Sequence, residues 1–341
     1  MSSTQKACII PAPGADIVLQ DRPIPAPAPG QVLVKNTAVA LNPVDNQHLH
    51  YPVLISGYPA VLGCDAAGIV DVIGEGVSNV KKGDRVFFQG DFSHDGAAFQ
   101  HYSTVNSNLV SKTPSNITDE EASTLPTSIV TSVVLLFNNT GFPPPLNGPT
   151  ASGTPILILG GSGSIGRACI QMARIAGFSP IITTASSTHV ETLKALGATH
   201  VFERTVSAAT IHGVLNKPLK FAVDTVSNTE TQLFALKVLT TQSGAPYEGS
   251  QLQLVLLPTD ELQAENNALG EGRVKAGIVA GVSHTQPEVF APFFDIAGKW
   301  CEEGLIVPGK VKLLNGGLES IKPGLDELNR GVSGIKLVLN P

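Results

Sequence analysis

Apolar positions in the first 125 or so residues fall in short β-branched runs separated by turn residues. Gln31-Val32-Leu33-Val34-Lys35, Gly68-Ile69-Val70-Asp71-Val72-Ile73-Gly74 and Asp84-Arg85-Val86-Phe87-Phe88 each predict a strand. The proline run from Pro23 to Pro29 predicts a stiff extended connector. Thr118 ahead of Asp119-Glu120-Glu121 supplies an N-cap and an acidic first turn, so a helix should start there.

The pattern then changes. Ile129 to Phe137 is apolar enough for a buried helix, and Asn138 to Pro155, rich in Pro, Gly and Asn, reads as an exposed loop of insertion length. Alternating units follow: strand Ile156–Leu159, helix near Ile165–Ala176, strand Pro180–Thr184, helix near His189–Leu196, strand Phe221–Asp224, helix 229–239 and strand Leu252–Leu257. Strands alternating with helices predict a parallel, doubly wound sheet. The last 50 or so residues return to mixed character, with a helix around Gly317–Asn329 and a closing strand Ile335–Leu339.

Composition narrows the class. Hydrophobic residues make up 42% and charged residues 15%, the reverse of a disordered chain. The net charge of −6 and the lack of a basic run argue against a nucleic-acid partner. The longest apolar stretch, Ile129 to Phe137, is broken by Thr131 and Ser132 and is too short for a bilayer. Ala7 to Ile10 is too short for the core of a signal peptide, and no peroxisomal tripeptide closes the sequence. Cys8, Cys64, Cys169 and Cys301 form no CxxC pair, which speaks against a zinc ribbon or a disulfide framework. A cytoplasmic protein without a membrane partner is expected.

The strongest motif is Gly160-Gly161-Ser162-Gly163-Ser164-Ile165-Gly166, directly after an apolar strand and directly before a helical pattern. Alone, G-x-G-x-x-G describes many plain strand–helix turns. Within a βαβ unit, Gly161, Gly163 and Gly166 serve a tight turn, close approach to a pyrophosphate and close helix packing. The helix start, with Ser162, Ser164 and Ile165, offers N–H groups to the anion. From Arg167 to Val190 there is no acidic residue to bind a ribose diol. Ser186, Ser187 and His189 stand at the end of the second strand instead, leaving room for a 2′-phosphate. Arg204 supplies a cation for it or is a solvated surface residue. NADPH is the expected cofactor.

Several motifs in register carry a wider resemblance: Gly63-x-Asp65-x-x-Gly68, Gly83-Asp84-Arg85-Val86, the phosphate loop, Leu196-Gly197-Ala198 and Gly334-Ile335-Lys336-Leu337-Val338. Over essentially its whole length the chain resembles the medium-chain dehydrogenase/reductase superfamily. Ala40-Leu41-Asn42-Pro43-Val44-Asp45, Ala60-Val61-Leu62-Gly63-Cys64-Asp65 and Phe142-Pro143-Pro144-Pro145 make it most similar to fungal trans-acting enoyl reductases and their zinc-free, quinone oxidoreductase-like relatives. The resemblance implies an α/β fold: a GroES-like, β-barrel-type catalytic domain over residues 1–126, a Rossmann cofactor domain over 127–284, and a return to the catalytic domain over 285–341.

Zinc alcohol dehydrogenases of this superfamily place Cys, His and Glu where Asn42, Cys64 and Asp65 stand, and a further Cys near Thr127. Asn and Thr cannot act as thiolate ligands, so no catalytic zinc is expected. A replacement site from His48, His50, Cys64 and Asp65 is conceivable if His48-x-His50 shares a strand face; otherwise these residues form a polar wall. The implied chemistry is hydride addition to the β-carbon of an α,β-unsaturated carbonyl, small or presented by a carrier protein.

For that chemistry Asn42 is a candidate donor to the enolate oxygen or the ribose, and Thr131 a contact for the nicotinamide end. Tyr51 is the candidate proton donor, with Tyr58 as fallback and solvent as the alternative to both. The resemblance adds Leu257 to the cofactor contacts. Quinone reduction and a non-catalytic NADPH-binding sensor remain the competing readings. Strand Ile278–Val282 is either a dimer-pairing sheet edge or a capped edge in a monomer.

Overall fold

The computed structural model describes residues 3–51, 55, 57–241, 244–270 and 273–341, the side chain of His50 excepted. The chain divides into two compact units, Met1–Thr127 with Val282–Pro341, and Ser128–Gly281.

The first unit is built on the strand Gln31–Ala40, which pairs antiparallel with Asp65–Ile73 and with Tyr102–Asn106. Register shifts at Leu33/Val34 and Asn36/Ala38 bend this pairing, as extra residues in a ladder do. The seven-stranded sheet continues through Arg85–Gln89 to Val110–Lys112 on one side, and through Lys336–Leu339 to Val311–Leu314 on the other. A three-stranded antiparallel sheet joins Val18–Pro23, Thr4–Ile10 and Ala60–Val61. The proline run accordingly begins as the end of a strand and leaves the sheet after Pro23. Phe87, Phe88 and Phe99 are fully buried.

Helix Pro287–Glu302 was not predicted. It buries Phe290, Phe293, Phe294, Ala297 and Cys301, the spacing of one helical face, and docks through Gly298, whose N–H donates to Ser111 Oγ at 2.8 Å. Pro292 and Gly298 inside it mask the pattern in sequence. The expected strand face for His48-x-His50 is corrected: both lie on helix Pro43–His50. Pro43 at the first turn and Asp45, which accepts the Asn42 N–H at 2.7 Å, start a helix there.

The second unit is a six-stranded parallel sheet in the order His200–Phe202, Ile181–Thr184, Ile156–Leu159, Phe221–Asp224, Gln251–Leu254, Lys275–Ile278. The strand order reverses at Ile156–Leu159, the place where doubly wound sheets receive ligands. Leu157, Leu159, Ile182, Ala222, Leu252 and Leu254 form its core with Ala235 and Leu239. Helices Ala208–Gly213 and Asp260–Ala268 add to the predicted set.

In this sheet two strands end or begin several residues from where they were expected. The strand expected over Leu252–Leu257 stops at Leu254, because the Val255 N–H leaves the ladder for Ser227 Oγ at 3.1 Å. The edge strand expected over Ile278–Val282 lies at Lys275–Ile278, matched to that short neighbour residue for residue. The segment between Phe137 and Ile156 holds no helix or strand, yet it is only partly the exposed loop expected. Phe142 packs against Phe178 at 4.9 Å and Phe221 at 5.4 Å between ring centroids, and Thr140 O accepts from Gln251 Nε2 at 3.0 Å.

All four cysteines are unpaired and buried. No helix among the described residues is long and apolar enough to cross a membrane.

Candidate active site

In the second unit the phosphate loop is a cradle that side chains would fill. A Cβ on Gly161 would lie 2.1 Å from Thr183 Oγ1, and one on Gly166 would lie 2.2 Å from Gly160 O. Only glycine lets the loop close on the strand and the helix start behind it. Helix Ser164–Ala176 begins at Gly163 with no side-chain cap and no acidic residue in its first turn. Its first N–H groups therefore face outward with the positive end of the helix dipole behind them. This is the geometry that holds a pyrophosphate.

The neighbouring strand ends converge on the same edge. Gly161 N–H donates to Thr184 O at 3.1 Å, and Ala185 N–H donates to Phe202 O at 2.9 Å. The turn Ser187–His189 is thereby set beside the end of strand His200–Phe202, which leads into exposed Arg204. Ser186 Oγ lies 3.1 Å from Thr188 Oγ1. Hydroxyls and a cation share this edge. Leu257, 72% exposed, follows strand Gln251–Leu254, and its carbonyl accepts from Gln232 Nε2 at 3.0 Å. Thr131, buried on helix Pro126–Phe137, packs under Gly281, where a Cβ would come within 2.7 Å of Thr131 Oγ1.

In the first unit a buried polar group centres on Asp65. Its Oδ1 accepts from the Thr127 N–H at 2.7 Å; its Oδ2 accepts from Asn42 Nδ2 at 2.9 Å and from Lys336 Nζ at 3.3 Å. Lys336 Nζ also donates to Asn42 Oδ1, so the Asn42 amide is engaged at both ends. Thr127 Oγ1 accepts from Gln89 Nε2 at 3.2 Å, and Gln89 Oε1 accepts from the Ser283 N–H at 2.8 Å. Asp65 is fully buried and Lys336 is 5% exposed.

This group answers the zinc question. Of the four positions where zinc relatives place ligands, three are joined to one another or to a lysine ammonium, and two carry side chains that do not bind zinc well. A metal there would have to displace Lys336 from Asp65. The residues do not fit a catalytic zinc.

Around it lie Asp45, His48 and Cys64. Cys64 Sγ–H donates to Asp45 Oδ1 at 3.5 Å. Burial pushes the Asp45 carboxyl up to about 7, against the pull of the Asn42 N–H. Burial pushes the Cys64 thiol well above its ordinary value, and brings the His48 imidazole down to about 4. His48 meets the edge of Phe92 at 4.9 Å, and Phe92 meets His284 at 5.3 Å.

Tyr51 ends helix Pro43–His50 and is 63% exposed. Tyr58 is half-buried, and its hydroxyl is buried without a hydrogen-bond partner among the described residues. The structure brings Asn42 together with Asp65 and Lys336, whereas Thr131 and the phosphate loop belong to the other unit. Lys336 was missed as a functional candidate. Its signal in the sequence is a lone charge inside the apolar run Ile335 to Leu339.

The alcohol dehydrogenase GroES-like domain matches residues 28–115, and the zinc-binding dehydrogenase domain matches residues 164–252. A trans-enoyl reductase of Aspergillus flavipes is 33% identical over 99% of this chain and 99% of its own. A trans-enoyl reductase of Cochliobolus carbonum is 36% identical over 70% of this chain and 82% of its own. An alcohol dehydrogenase superfamily protein from Novosphingobium aromaticivorans shares the fold, with a TM-score of 0.80 at 22% identity, over 99% of this chain and 100% of its own. The glycine cradle, the GroES-like unit and these relatives agree: the chain belongs to the medium-chain dehydrogenase/reductase superfamily, in its group of fungal trans-enoyl reductases.

Proposed function

We propose that this protein is a zinc-independent, NADPH-dependent reductase of α,β-unsaturated carbonyl compounds. The observation that carries the reading is the Asn42–Asp65–Lys336 group, which fills the zinc positions with hydrogen bonds and an ammonium. Without a Lewis acid an isolated carbonyl is poorly polarised. A conjugated acceptor needs less help, because its charge spreads into an enolate that hydrogen-bond donors stabilise. The names of these relatives support the same chemistry.

When bound, NADPH supplies hydride for the β-carbon. The N–H groups of Ser162 and of Ser164 to Gly166 hold its pyrophosphate, Gly161 and Gly163 closing the loop beneath it, and Ser186, Ser187, His189 and Arg204 receive the 2′-phosphate. Thr131 and Leu257 contact the nicotinamide half. Tyr58, with its buried and unpartnered hydroxyl, is a better proton source for the α-carbon than exposed Tyr51. Asn42, with both amide ends engaged, serves as scaffold. The substrate is a small enoyl compound of secondary metabolism, free or tethered to a carrier protein, and the enzyme works in the cytoplasm as a monomer or homodimer.

Consumption of NADPH and NADH with enones, enoyl thioesters and quinones tests the reading. Turnover of enoyl thioesters or enones with a clear preference for NADPH is expected. Turnover of quinones alone would move the protein to quinone reduction, and cofactor binding without any turnover would make it a sensor.

A further inference from the structure

One set of donors in the first unit is left unused by the reductase chemistry. Asp45 and His48 lie three residues apart on helix Pro43–His50, and Cys64 directly precedes strand Asp65–Ile73. One carboxylate oxygen, one imidazole nitrogen and the sulfur lie within 4.8 Å of one another. The three side chains are 0%, 0% and 2% exposed. Among the described residues neither ring nitrogen of His48 has a hydrogen-bond partner, although the residue is fully enclosed. Buried polar atoms are nearly always paired, and an orphaned one marks a missing water or ion.

We propose that Asp45, His48 and Cys64 form a binding site for a thiophilic divalent cation, zinc by preference. A carboxylate oxygen, an imidazole nitrogen and a thiolate are the donor types zinc takes. The site differs from the zinc site of dehydrogenase relatives in all but one position. Cys64 is shared; Asp65 and Asn42 are held by Lys336, and Asp45 and His48 take their place.

Charge and protons balance. The cation forms bonds to sulfur, oxygen and nitrogen; the Cys64 thiol gives its proton to solvent, and so does the Asp45 carboxyl where it is protonated. One divalent charge replaces two protons where Asp45 is protonated and one where it is ionised, nothing is oxidised or reduced, and burial already keeps His48 in the neutral form that binds metals. Asp65 and Lys336, the other charged groups facing the cluster, remain paired with each other.

The test uses the full-length protein, stripped with a chelator, loaded with Co²⁺ or Zn²⁺ and desalted. About one equivalent of metal should remain, with a thiolate-to-cobalt charge-transfer band in the Co²⁺ form. Cys64→Ser should abolish the band, and His48→Gln should weaken binding at least about tenfold. Should Cys64→Ser fail to fold, the His48→Gln titration decides alone, with circular dichroism as its control. Substoichiometric metal in the wild type overturns the site, and so does a band or an affinity that His48→Gln leaves unchanged. Because the readout is metal content, its failure is separate from any failure of the reductase assay.

Discussion

Lys336 reaches Asp65 across 3.3 Å, and the two side chains are almost wholly enclosed. Neither charge has water to fall back on, so each depends on the other and on the Asn42 amide between them. Removing one partner of a buried pair strands the other charge. Lys336→Met is expected to lower stability by about 3–5 kcal/mol in denaturant unfolding. Adding Asp65→Asn should recover much of that loss, because no buried charge is then left alone. A double variant as unstable as the single one would show that packing, not charge, decides.

The edge of the second unit predicts cofactor choice. Arg204→Ala should raise the KM for NADPH by about tenfold while that for NADH barely moves, the effect of losing one charge-assisted bond. Ser186→Asp would put a carboxylate at the proposed 2′-phosphate position and should reverse the preference. Parallel kinetics with both cofactors would check this, and equal responses to the two would remove Arg204 from the phosphate site.

Asp45 and His48 should oppose each other in the pH dependence of stability, measured with chelator present. The Asp45 value rises on folding from 3.8 to about 7. Between these values the folded state holds a proton that the unfolded chain has lost, so this contribution decays as pH rises from about 4 to about 7. The His48 value falls from 6.5 to about 4. There the unfolded chain holds the extra proton, so this contribution grows as pH rises from about 4 to about 6.5. Wild type should be nearly flat over that window. Asp45→Asn should leave stability rising with pH and His48→Gln should leave it falling, each by up to about 1.4 kcal/mol per pH unit. Parallel curves for the two variants would contradict the opposition.

Tyr58→Phe removes only the hydroxyl and should lower kcat by about a hundredfold or more if that group delivers the proton. Tyr51→Phe should change it little. Steady-state kinetics with an enoyl thioester decides between them, and an unchanged Tyr58→Phe enzyme would leave the proton to solvent.

How much of this could be read in the sequence depended on the range of the contacts. Strands Ile156–Leu159 and Phe221–Asp224 fall where the pattern places them, because a βαβ unit is built from neighbours along the chain. The start of helix Asp119–Ala122 was equally plain, its Thr118 Oγ1 accepting from the Glu121 N–H at 3.2 Å. Helix Pro43–His50 was misread because it has little apolar face of its own; only the Asn42–Asp45 start marks it. The phosphate loop was legible because glycine spacing is itself the geometry. The Asp65 group was not, since its members meet through pairings from 23 to 294 residues apart that no local pattern encodes. Lys336 stood inside a recognised motif, but its role needs Asp65 and Asn42 in view.

The separation of 271 residues between Asp65 and Lys336 also has a consequence for synthesis. At about 5–20 residues per second, the carboxylate is made roughly 15–50 s before its counter-charge. All of Ser128–Gly281 emerges in between and can fold first, as a unit of local connections. The first unit, although begun earlier, completes its interior only when the Lys336–Leu339 strand arrives. A ribosome stalled before that strand should therefore carry a finished cofactor domain and an unfinished partner.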